Sequence, residues 1–213
     1  MRTKAPLLPL LLALPLASCA ATGRTAADPV LAKGVAANAD FARTRFIEKG
    51  LQPIEAAARE GRELRRVLVS AFVPGDLPAL ELERSPDGTV TLNIARAGVV
   101  EQRIAVAPET WKRIAALDDS VFEAPPPRVP TPEGARSASC HGIGAFFESS
   151  SRGKVRQASA RQCAGSVSPF NSARLQVMNT LVDLALAARP GCGREPGEEA
   201  DWPLSRCFAP PAR

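Results

Sequence analysis

The chain has no tyrosine, a single histidine (His141), two tryptophans and eight phenylalanines among its 213 residues. So few rings exclude the broad aromatic platforms on which carbohydrate-binding surfaces stack sugars, and they leave the core to Leu, Val, Ile and Ala. One histidine cannot supply the paired imidazoles of the usual transition-metal sites. Nothing in the sequence asks for a cofactor or a metal. Basic residues outnumber acidic ones, 27 to 22, but they are scattered, with no cluster denser than an adjacent pair such as Arg65-Arg66. A basic stripe suited to nucleic-acid phosphates is missing, and no nucleic-acid partner is expected. Ser139, Ser149 to Ser151 and Ser166 lie in no G-x-S-x-G setting. Gly142-Ile143-Gly144 lacks the last glycine and the strand–turn–helix context of a dinucleotide loop. Asp118-Asp119 and Glu198-Glu199 read as a solvated helix end and a flexible tail rather than as acid/base pairs.

The amino terminus is organised differently from the rest. Arg2 and Lys4 precede an apolar run from Ala5 to Ala17, and no acidic residue occurs before Asp28. That run is 13 residues long, whereas a membrane-spanning helix needs about 20. A basic start followed by a short apolar stretch is the pattern of a secretory signal peptide. It ends in Leu16-Ala17-Ser18-Cys19, which resembles the lipobox of bacterial lipoproteins. The resemblance covers only about the first twenty residues. It implies cleavage between Ser18 and Cys19, a diacylglycerol on the Cys19 sulfur and acylation of the new amine. Each buried methylene is worth about 0.8 kcal/mol, so two or three chains form a practically permanent anchor. Ala20 and Ala21 follow, and by the same resemblance a residue other than aspartate there permits sorting to the outer membrane, facing the periplasm. Loss of Arg2 and Lys4 with the signal lowers the formal charge from +5 to +3.

Four further cysteines, Cys140, Cys163, Cys192 and Cys207, suit an oxidising compartment and suggest two disulfides. Three connectivities are open; proximity favours Cys140–Cys163 and Cys192–Cys207. These would close loops of 23 and 15 residues, each worth roughly 3 kcal/mol in the chain-entropy model. No pair has the close spacing of structural zinc ligands. Cys140-His141 has the residue types of a thiolate–imidazole nucleophile, but neighbours in a strand point to opposite faces.

Residues 1–18 are thus expected to be a signal peptide, 19–33 a flexible tether, 34–191 one domain and 192–213 an irregular tail. Val35, Ala39, Ala42 and Phe46 recur at helical spacing before Gly50, and a second helix starts near Pro53. Residues 64–72 suit either a strand or a continued helix. Leu80 to Glu83 and Val90 to Ile94 alternate apolar and polar residues around Ser85-Pro86-Asp87-Gly88, which predicts a hairpin with one buried and one wet face. Val99 to Val106 extends it, and Pro108 opens a helix whose Trp111 packs onto the sheet.

Residues 124–132 hold five prolines and form a stiff connector. Beyond it, Ile143 to Glu148 and Val155 to Ala160 flank a polar turn, a second hairpin whose pairs sum to 303. Cys140 and Cys163 also sum to 303, which would make them a cross-strand disulfide. Phe146 and Phe147 should divide between core and the opposite face. Residues 171–188 form the strongest helix, with Leu175, Met178, Leu181, Val182 and Leu184 to Leu186 as its apolar stripe.

The expected fold is α+β: an antiparallel sheet of two hairpin or meander regions, with the Trp111 helix and the 171–188 helix on one face. The layout is similar to that of small uncharacterised envelope lipoproteins. The leading functional expectation is a non-enzymatic lipoprotein, bound to the membrane through Cys19, that binds or supports an envelope protein. Two alternatives differ in class: an inhibitor of a lysozyme or protease, and a hydrolase using Cys140 or a serine.

Overall fold

The computed structural model describes residues 29–70, 76–123, 143–161 and 170–208, and in 29–38 the backbone alone. The run Leu16-Ala17-Ser18-Cys19 that resembles a lipobox, the connector 124–132, Ser139, Cys140, His141, Cys163 and Ser166 lie outside the described residues.

Two helices lead: α1 (Pro29–Glu48) and α2 (Ile54–Arg59). Four strands follow as a meander, β1 (Glu63–Ser70), β2 (Ala79–Arg84), β3 (Val90–Arg96) and β4 (Val99–Ala105). Helices α3 (Pro108–Ala115) and α4 (Asp118–Val121) cross to the hairpin β5 (Gly144–Ser151) and β6 (Lys154–Arg161). Helices α5 (Ser172–Ala187) and α6 (Asp201–Phe208) end the fold. The six strands form one antiparallel sheet in the order β4-β3-β2-β1-β5-β6, so the α+β expectation holds. Residues 64–70 are strand: with β2 on one side and β5 on the other, β1 is the central strand.

The turns follow from local chemistry. At Ser85-Pro86-Asp87-Gly88 the Gly88 amide donates to the Ser85 carbonyl and Gly88 sits at φ +88°. The β3–β4 turn is Ala97-Gly98 with φ +52° and +85°, the two positive values of a type I′ turn, whose twist matches the strands. Alanine carries a Cβ penalty there that asparagine largely avoids. Ala97→Asn should therefore stabilise the protein by about 0.5–1 kcal/mol, read as a higher urea midpoint with an unchanged slope. A lower midpoint would contradict this reading of the turn.

The registers sort the side chains. Val67 stands opposite Leu80 and Phe147, and Leu80 opposite Ile94, all on one face. Trp111 and Ile114 of α3, the face of α5 from Val177 to Leu186, and Leu204 and Phe208 of α6 close over them in one cluster. That face is the one expected. The sheet is covered on the other face too. Ala42 and Phe46 of α1, with Leu51, lie on Leu68, Ala79 and Ala95, and Ile54 and Ala57 of α2 lie on Leu64. Helices on one face only was thus too narrow an expectation, and so was a wet face on the first hairpin. Glu81, on the alternating polar row, is buried at 4% exposure. Phe147 is in the main core, while Phe146 passes under α1 with its ring 5.5 Å from Phe41.

Other boundaries also moved. Helix α1 starts at Pro29, inside the stretch read as tether. The tail read as irregular contains α6, whose Leu204 and Phe208 are fully buried. On α5, Leu175 is turned outward, and Arg174 is buried in its place. Its guanidinium donates to the Val121 and Glu123 carbonyls, at the C-terminal end of α4, at 2.8 and 2.9 Å. That burial lowers the Arg174 pKa from the ordinary guanidinium value. The β5–β6 pairs sum to 305, as in Ser151 with Lys154. The turn is the two-residue Arg152-Gly153, at φ +49° and +73°, tighter than the polar run suggested. The register argument for Cys140–Cys163 thereby loses its premise.

Candidate functional site

Three groups of polar side chains are candidates, and each begins with an arginine on or beside β1. Arg65 and Arg66, an adjacent basic pair, do not form a surface patch. Successive strand residues point to opposite faces, so the two guanidinium groups enter opposite layers, at 5% and 2% exposure.

Arg65 enters the main core. Its Nε and Nη2 donate to the two carboxylate oxygens of Asp118 at 3.0 and 2.5 Å. Its guanidinium lies 4.3 Å from the centre of the Trp111 ring. Asp118 also pairs with Arg156 at 3.0 Å, while the neighbouring Asp119 is fully exposed. The pair read as a solvated helix end therefore contributes one buried and one wet carboxylate.

Arg66 enters the layer beneath α1 and α2, opposite Glu81 and Glu148 in the register. Its Nε donates to Glu81 Oε2 at 2.6 Å and its Nη2 to the Gln52 carbonyl at 2.8 Å, which ties the α1–α2 link to the sheet. Asn93 donates to Glu81 Oε1 at 2.8 Å. Glu148 Oε1 accepts from Gln157 at 2.6 Å, but Oε2 stands 3.5 Å from Arg66 Nη1 and receives no hydrogen bond. One guanidinium thus faces two buried carboxylates, and burial raises the pKa of Glu148 above the ordinary glutamate value.

The sign of the consequence is fixed by linkage. A carboxyl whose folded pKa is raised contributes stability at acid pH, and that contribution is lost as pH rises through the folded value. Glu148→Gln should therefore stabilise the protein relative to the wild type more at pH 8 than at pH 4. Near pH 4 the gain should largely vanish. Urea unfolding at both pH values measures this; an equal effect at the two would show that the charge is not the cause.

The third group is open to solvent. The α2–β1 turn at Gly61-Arg62, the β2–β3 turn from Ser85 to Gly88 and the β5–β6 turn at Arg152-Gly153 meet at one end of the sheet. They enclose a cleft of about 460 Å³, completed by Glu63 and Arg84, within the range of small-ligand sites. Arg62 reaches Glu60 and Glu83 at 3.0 and 3.1 Å and also bonds to Gln52. Arg84 pairs with Glu63 at 2.9 Å and lies 5.6 Å from the Trp111 ring. Asp87 accepts from the Thr89 amide at 2.9 Å, and that bond holds its carboxyl below the ordinary range.

Sequence reading met Gly61, the Ser85–Gly88 turn and Arg152-Gly153 only as a helix stop and turns, and singled out none of the cleft residues as a site. Their positions, 61–63, 84–88 and 152–153, become neighbours only once β1 has paired with both β2 and β5.

Of the two expected disulfides, Cys192–Cys207 is present, with Cα atoms 6.0 Å apart. It ties α6 to the segment leaving α5. Arg206 reinforces it by pairing with Glu198 at 2.7 Å and donating to the Gly193 carbonyl. Among the described residues no cluster of His, Cys, Asp and Glu suits a metal ion, and no helix is long and apolar enough to cross a membrane. No protein-family model and no curated protein matches the chain.

Proposed function

We propose that this chain is a lipid-anchored binding protein of the bacterial envelope, without catalytic activity of its own. The observation that carries the anchor is the run Leu16-Ala17-Ser18-Cys19 at the end of a short apolar stretch with a basic start. By this reading, signal peptidase removes residues 1–18, Cys19 carries the acyl chains, and the domain is held at the periplasmic face of the outer membrane. The cleft at the turn end of the sheet supports the binding part. Its lining holds three arginines against two carboxylates, an excess of positive charge that suits recognition of an anionic group by complementary charge.

The reading predicts the mass of the native protein extracted from membranes. That mass should correspond to residues 19–213 plus a thioether-linked diacylglyceryl group, with or without a third acyl chain on the amine, less two hydrogens for each disulfide. Cys19→Ser should abolish acylation and leave the signal uncleaved. A native chain starting at Cys19 without lipid, or cleaved elsewhere, would overturn the anchor.

A further inference from the structure

The turn-end cleft has the dimensions of a ligand site, and its charges are unevenly satisfied. Its lining holds three arginines, Arg62, Arg84 and Arg152, against two carboxylates, Glu63 and Asp87. Arg62 is bound by Glu60, Glu83 and Gln52 and serves as wall. Asp87 is turned back onto its own turn by the Thr89 amide.

Arg84 is differently placed. Glu63 engages one terminal nitrogen and the Trp111 ring lies close to its guanidinium, so the group is oriented while most of its five donors stay free. It is also half-exposed, at 46%. Arg152 is exposed and has no ion partner among the described residues.

Its position is informative as well. Arg152 is the first central residue of a type I′ turn, at φ +49°, where Asn, Asp or Gly is favoured. Strain by itself marks nothing, since Ala97 tolerates the same conformation outside this cleft. What distinguishes Arg152 is a long cationic side chain at the mouth of a cleft whose other guanidinium is already oriented.

We propose that this cleft binds an oxyanion, a phosphate or a carboxylate, on a small polar ligand, held between Arg84 and Arg152. The site deepens the binding reading above and is independent of the lipid anchor. An incoming oxyanion would accept two parallel N–H bonds from the free edge of Arg84 and share the charge of Arg152. Arg84 would keep its ring contact, and Glu63 would keep its bond from Ser151, which is 3.2 Å long.

The test uses the full chain in neutral detergent, titrated with inorganic phosphate, and separately with acetate, at constant ionic strength set by chloride. The backbone amide resonances of Gly61, Gly88 and Gly153 are followed by NMR. Saturable shifts at these glycines with one anion and not with chloride are expected, and the responding anion assigns the oxyanion. Vesicles of phosphatidylglycerol, set against phosphatidylcholine, then distinguish a lipid headgroup from a free ligand.

Arg84→Ala and Arg152→Asn should each weaken the binding at least fivefold. Arg152→Asn is the decisive variant: asparagine suits the turn, so its thermal midpoint should stay level or rise while binding falls. Binding unaffected by Arg152→Asn, or no anion effect beyond that of chloride, overturns the site. An acylated chain that ignores both anions loses the site and keeps the anchor, and a non-acylated chain that binds phosphate does the reverse.

Discussion

Arg66→Ala should destabilise the protein by about 3–5 kcal/mol, the range for removing one partner of a buried ion pair. The guanidinium is 2% exposed and serves Glu81, Glu148 and the Gln52 carbonyl together. Without it, two buried carboxylates face each other across β1, with only the more distant Arg43 acting on Glu148 and Arg62 on Glu81. Most of the penalty is then charge left in a poorly solvated layer rather than lost attraction. This predicts a rescue: Arg66→Met combined with Glu81→Gln and Glu148→Gln should recover most of the loss, since a neutral layer leaves no uncompensated charge. Arg65→Ala should cost less. Asp118 keeps Arg156 at 3.0 Å, and that partner is one-third exposed, so the abandoned carboxylate retains a cation and some water. Chemical denaturation of the variants at pH 7 orders them; an Arg66→Ala cost below that of Arg65→Ala would refute the argument.

Gly50→Ala should be about as damaging, on the order of 3 kcal/mol or more, for a steric reason. Gly50 follows α1 at φ +103°, and a Cβ there would stand 2.4 Å from both the Gly98 carbonyl carbon and the Val99 nitrogen. Both obstacles are backbone, so relief requires moving α1 away from the β3–β4 turn. That movement would loosen Phe46 from Leu68 and Ala79. Gly98→Ala is the control. Gly98 also has positive φ, at +85°, but its Cβ would meet nothing nearer than 4.0 Å. It should cost only about 1 kcal/mol, the conformational penalty alone. Equal costs at the two positions would mean that the close approach of α1 to the turn contributes nothing.

Local chemistry made part of the fold legible. The Ser85–Gly88 turn, Pro108 at the start of α3, the stop after α5 and the division of Phe146 from Phe147 depend on neighbours in sequence. The misreadings share another origin. Alternation at Leu80-Glu81-Leu82-Glu83 shows that two faces differ, but not whether the polar one is wet. Glu81 is dry because Arg66, 15 residues away, neutralises it under Phe46 and Gln52. Leu175 matched the helical stripe, yet the core took Arg174, because the backbone carbonyls ending at Glu123 needed donors. Asp118 and Asp119 look alike in sequence, and only the approach of Arg65 buries one of them. The assembly of the cleft was illegible, since its three turns meet only through the pairing of β1 with β2 and β5.

By itself the sequence determined most of the elements but not α6 or the state of β1, because caps, turns and hydrophobic period act over a few residues. It also carries Leu16-Ala17-Ser18-Cys19, the run on which the proposed anchor rests and which would be read along the chain before any fold exists. Only the tertiary structure decided that helices cover both faces of the sheet, that the Arg65-Arg66 pair is buried on opposite sides, and that the β5–β6 hairpin pairs at 305 rather than 303. These outcomes depend on which distant group satisfies a buried charge or fills a space, and no local pattern encodes that choice.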